Sequence, residues 1–198
     1  TRTSPQHVTV ADLTRLIPPK YFAHRFTVVR HPVPRLVSMF KFQRDWEQRI
    51  DPDTRLTPWL DGLGGARRIS SYKYDNHLRP MTAFVPEDTT VFRLEDGGLA
   101  QVIPWLDELQ GKVAAPREMP VLNTHGGHMK KRGASPVTVP VTAEERALIA
   151  ELYAEDFARF DYDPEDVPED RVLAEKHLPP KPKPAQNPQK QALQKGIP

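Results

Sequence analysis

The sequence predicts an α/β domain built on a mainly parallel sheet. Two strand-then-helix units carry that prediction, "FTVVRHPVPRLVSMFKF" over residues 26–42 and "TTVFRLEDGGLAQVIPWLDELQ" over residues 89–110. In each, a short β-branched and aromatic run passes through a polar junction into a segment of helical period. The third observation is one of size: 198 residues, 38% hydrophobic and 27% charged, suffice for one globular domain with a real core.

Thr9 has the chemistry of an N-cap, with Asp12 three residues on. Leu13, Leu16 and Ile17 recur at helical spacing, so a short helix is expected over residues 10–17, stopped by Pro18 and Pro19. Residues 26–29 read as a buried strand. After Pro32 the period changes, and Leu36, Met39, Phe40, Gln43 and Trp46 fit one helical stripe, with proline tolerated in the first turn. Residues 51–80 read as loops and short helical turns, and residues 111–140, rich in Gly, Pro, His and Lys, as an irregular excursion. Thr142 with Glu145 forms a capping-box signature, ahead of one amphipathic helix that carries Leu148, Leu152, Phe157 and Phe160. The domain is expected to span residues 1–164, and residues 165–198, biased to Pro, Lys and Gln, to form a disordered tail.

Composition excludes several classes. A net charge of +2, from 28 basic and 26 acidic side chains, is too balanced for general nucleic-acid binding, and the Lys-Pro tail lacks stacking aromatics. No cysteine is present, which excludes disulfides and thiolate zinc sites and suits a reducing, bacterial-type cytoplasm. No run approaches the roughly 18 apolar residues of a membrane span. An anchor upstream of Thr1 stays open.

The polar junction after residue 29 has the makings of an anion site. A helix start presents backbone N–H groups and the positive end of the macrodipole. Arg30 can add a bidentate pair and Ser38 a hydroxyl, so three kinds of donor could converge on one phosphate. The plainer alternatives are an Arg paired with a carboxylate and a Ser bonded to its own backbone.

As a set, the residues "VVRHPVPRLVS" resemble the segment that holds the donor's 3'-phosphate in sulfotransferases, a pattern R-(D/N/H)-P-x-x-R-L-V-S. The resemblance runs from His7 to about Pro164 and is closest to carbohydrate and heparan sulfate 2-O-sulfotransferases and their bacterial relatives. It implies a P-loop-NTPase-like three-layer fold, and a sulfuryl group moved from 3'-phosphoadenosine 5'-phosphosulfate (PAPS) to a hydroxyl of a carbohydrate or glycolipid. Arg30 and Ser38 would hold the 3'-phosphate, and Arg35 would support them. His31 stands where the family more often has Asp or Asn. Glu95, in "VFRLED", reads as a buttress rather than a catalyst.

Such a reaction needs a base, and histidine suits the role. "QHVTVADL" resembles the family's "GHVSYLDF"-type segment, which makes His7 the first candidate; His77, in "YDNHLRPM", is the second. In "NTHGGHMKKRG", Lys130, Lys131 and Arg132 could touch phosphate, whereas His125 and His128 lack the further ligands of a metal site. No metal is expected. The family's phosphate loop, of the type P-K-T-(G/A)-(G/S)-T-S, has no counterpart in the sequence, so the chain is read as N-terminally incomplete and expected to be inactive by itself. A non-catalytic nucleotide- or glycan-binding relative of the same fold is the alternative.

Overall fold

The computed structural model describes residues 4–63, 72–111 and 138–168. Lys130, Lys131, Arg132 and nearly all of the expected tail lie outside them. Helix α1, Val10–Leu16, is capped by the Thr9 hydroxyl, which accepts the Asp12 N–H, and the chain then meets Pro18. Strand β1, Phe26–Val29, pairs in parallel with β2, Thr90–Arg93, in a register running from Phe26 opposite Thr90 to Val29 opposite Arg93. Each strand leads into a helix, α2 (Pro32–Lys41) and α4 (Gly98–Gln110), so both helix starts lie at the carboxyl ends of the strands. Between them comes α3, Leu56–Gly62. Among the described residues the sheet has these two strands.

Helix α2 is the centre of the molecule. Val33, Leu36, Val37 and Phe40 are all buried, and they share one core with Val29, Leu60, Leu78, Ile149 and Tyr153. The helix does not continue regularly to Trp46. At Phe42–Trp46 it widens into a π turn, with the Glu47 N–H reaching back to the Phe42 carbonyl at 2.9 Å. Such insertions recur at functional sites because they re-aim side chains. Here the turn carries Gln43, 1% exposed.

The last amphipathic segment is two helices, α5 (Ala143–Leu152) and α6 (Ala154–Arg159), rather than the single one expected. At about 100° per residue, an unbroken helix would put Phe157 on the side opposite Leu148. A break at Tyr153 (φ −120°, ψ 29°) lets Leu152, Phe157 and Phe160 reach the same core. The Thr142–Glu145 capping box forms as expected. At the second junction Gly97 takes φ +75°, and a Cβ on Gly98 would lie 2.5 Å from the Arg93 carbonyl oxygen, so α4 can start this close to β2 only with glycine.

Glu95 ties the two junctions together. Its Oε1 accepts the His31 N–H at 2.8 Å and its Oε2 accepts the Tyr162 hydroxyl at 2.9 Å. His31 is the N-cap of α2: Nδ1 accepts the Val33 N–H at 3.2 Å, and Nε2–H then donates to the Asp163 carbonyl at 3.0 Å. Burial lowers the His31 pKa and keeps the ring neutral for this role. An imidazole thus serves where Asp or Asn would cap with a short oxygen.

This arrangement alters the expected anion site. The backbone donors at the start of α2 are already committed: His31 N–H to Glu95, Val33 N–H to the His31 ring and Arg35 N–H to the His31 carbonyl. Pro32 and Pro34 have no N–H to give. Backbone N–H groups therefore do not join Arg30 and Ser38 as a third kind of donor.

Candidate active site

The two candidate bases, 70 residues apart in sequence, meet. His7 Nε2 lies 3.2 Å from His77 Nε2, with the rings edge to face at 70°. His7 comes from the short 3-10 turn Pro5–His7 ahead of α1. His77 follows a second such turn, Lys73–Asn76, whose backbone is unusual: Tyr72, Tyr74, Asp75 and Asn76 all have positive φ, between 48° and 69°. No glycine relieves them, and such clustered left-handed residues persist where surrounding contacts over-determine the chain.

Those contacts are the site itself. Asp75 Oδ2 lies 2.8 Å from His7 Nδ1 and accepts the Ser4 hydroxyl at 2.7 Å, while Oδ1 accepts the Ser4 N–H at 2.8 Å. Asn76, buried, donates its amide to the His7 carbonyl at 3.0 Å and accepts the Tyr72 N–H at 2.8 Å. On the far side Gln43 Nε2 lies 3.1 Å from His77 Nδ1. A chain Asp75–His7–His77–Gln43 results, anchored at one end by Ser4 and at the other by the π turn.

Arg35 holds the loop in place. Its guanidinium donates to the Arg79 carbonyl at 2.7 Å and the His77 carbonyl at 3.4 Å, and lies 5.7 Å from the Tyr153 ring centre. The Tyr153 hydroxyl donates to the Leu78 carbonyl. Two core elements thus grip the segment that carries His77. The face that remains open is a cleft of about 450 Å3, lined by His7, His77, Arg35, Ser38, Gln43 and Arg49, among others.

His77 is held neutral. Burial, then the neighbouring His7, lower its pKa to about 4, against the pull of Asp75. Because the folded value lies below the ordinary 6.5, the unfolded chain binds more protons between pH 6.5 and about 4. Stability therefore falls as pH drops through that window. Urea midpoints at pH 7 and pH 4.5 are expected to differ in this sense, and a His77→Gln variant should show a smaller difference.

The structure therefore brings His7, His77, Arg35 and Ser38 to one cleft. Arg30 sits at the β1–α2 junction rather than in the cleft lining. Sequence reasoning missed Asp75, Gln43 and Ser4. "YDNH" put a carboxylate two residues before His77, but nothing local showed that it faces His7 instead. Among the described residues no group of three or more side chains could hold a metal ion, and no helix is long and apolar enough to cross a membrane.

No curated protein and no solved structure matches the chain. The model of the sulfotransferase family matches residues 2–163, a span that holds both strand-to-helix junctions and the whole His7–His77 cleft, and the chain belongs to that family.

Proposed function

We propose that the protein transfers a sulfuryl group from PAPS to a hydroxyl of a carbohydrate or glycolipid acceptor, with His7 as the base. Family membership supports sulfuryl transfer as the chemistry. The observation that carries the finer reading is the carboxylate-oriented imidazole in an open cleft: Asp75 accepts a hydrogen bond from His7 Nδ1–H, which leaves Nε2 with the lone pair. PAPS supplies the transferable sulfuryl group on a good leaving phosphate. The acceptor oxygen forms the new bond to sulfur while its proton passes to His7 Nε2, and the old sulfur–oxygen bond breaks with its electron pair leaving on adenosine 3',5'-bisphosphate. As in phosphoryl transfer, the protein's share is positioning and electrostatics.

Arg30 and exposed Ser38 fit the 3'-phosphate of the donor, one as a guanidinium fork and the other as a hydroxyl. Since the backbone donors of α2 are committed elsewhere, the side chains carry this recognition alone. Calorimetry with adenosine 3',5'-bisphosphate, against its analogue lacking the 3'-phosphate, tests the assignment. Preference for the 3'-phosphate is expected, and Arg30→Ala should abolish it. An unchanged preference in that variant would remove Arg30 from the site.

A further inference from the structure

The two imidazoles are not equivalent, and the groups at the ends of the chain decide which does what. Asp75 can only accept, and Ser4 donates its hydroxyl to the same carboxylate, so the His7 proton sits on Nδ1. His7 Nε2 is then a lone pair. It lies 3.2 Å from His77 Nε2, and two lone pairs would repel at that distance, so the proton between them belongs to His77. His77 Nδ1 must in turn be an acceptor, which needs a donor beside it. Gln43 Nε2, at 3.1 Å, is that donor.

Gln43 carries a sign of this constraint. Its Oε1 is buried without a hydrogen-bond partner among the described residues. A flipped amide would put that oxygen opposite the His77 lone pair and leave a two-proton amide unsatisfied instead of one carbonyl.

We infer that Gln43 is a positioning residue, whose amide N–H fixes the His77 proton on Nε2 and so makes His77 the hydrogen-bond donor and His7 the acceptor of the pair. The inference deepens the proposed sulfuryl transfer and rests on His7 being its base. An acceptor hydroxyl entering between the rings replaces N–H···N by N–H···O–H···N, donating its proton to His7 while His77 orients its oxygen. A protonated amine has no lone pair for His77 and cannot take this place. The pair selects neutral hydroxyls.

Nitrogen-15 NMR of histidine-labelled chain at pH 7 reads the ring protons directly and needs no turnover. The expected result is a proton on Nδ1 of His7 and on Nε2 of His77. In Gln43→Glu, a carboxylate replaces the donor amide, so the His77 proton should move to Nδ1. Its titration midpoint, set in the native protein by burial first and then by His7, Asp75, Arg35 and Arg49 around it, should rise by about 1 unit or more. A wild-type His77 proton on Nδ1 overturns the inference, as does a folded Gln43→Glu protein with tautomer and midpoint unchanged. If that variant does not fold, the wild-type spectrum decides alone. Loss of nucleotide preference in the calorimetry would sink the sulfuryl-transfer reading while these spectra still judge the proton positions.

Discussion

His7→Ala is expected to lower kcat about 100- to 10,000-fold, the usual share of a general base. Affinity for adenosine 3',5'-bisphosphate should stay the same, because His7 faces the acceptor side of the cleft in the proposed arrangement. Asp75→Asn should cost part of that factor. An amide there still fills the space beside Ser4 but no longer compels the His7 proton onto Nδ1, so some of the population presents the wrong tautomer. The pH dependence of kcat should move with it. If His7→Ala retained wild-type kcat while His77→Ala lost it, the base would be His77 and the roles of the pair reversed.

The largest effect on stability is expected outside the histidine pair, at Asp156. This side chain is 0% exposed, and its two oxygens accept the N–H groups of Met81 and Thr82 at 2.8 and 2.9 Å. Burial raises its pKa above the ordinary carboxylate value, with both N–H groups pulling the other way. Asp156→Ala removes both bonds and leaves two donors unsatisfied, a loss of about 3–5 kcal/mol. For a chain of this size that corresponds to a fall in Tm of roughly 10 °C. Circular dichroism melting checks it. A fall below about 3 °C would mean that Arg35 and Tyr153 hold residues 77–83 without help.

What the sequence made legible is what local chemistry decides. Strand β1 and the Thr9 and Thr142 caps follow from residue type and period over a few positions, although of the strand, read as buried, only Val29 is. What it hid depends on partners distant in the chain. The break at Tyr153 is set by a core shared with α2, and the π turn places Gln43 against a histidine 34 residues away. His7 and His77 could each be singled out, but their meeting could not, since it relies on a left-handed run in residues that seldom adopt one. The start of α2 is the instructive miss. Its two prolines are visible in the sequence, and they already removed two of the donors that a helix N-terminus was expected to supply.

The left-handed turn also bears on how this protein could be engineered. Tyr74 and Asp75 cost conformational free energy where they stand, and a stability-guided redesign would turn to them first, with glycine as the obvious replacement. Tyr74→Gly would relax the turn, yet would widen the range of backbone angles open to Asp75 and blur its aim at His7. Thermal tolerance and catalytic competence are set against each other at this turn, so improvement by stability screening alone should be sought in α5 or α6 instead.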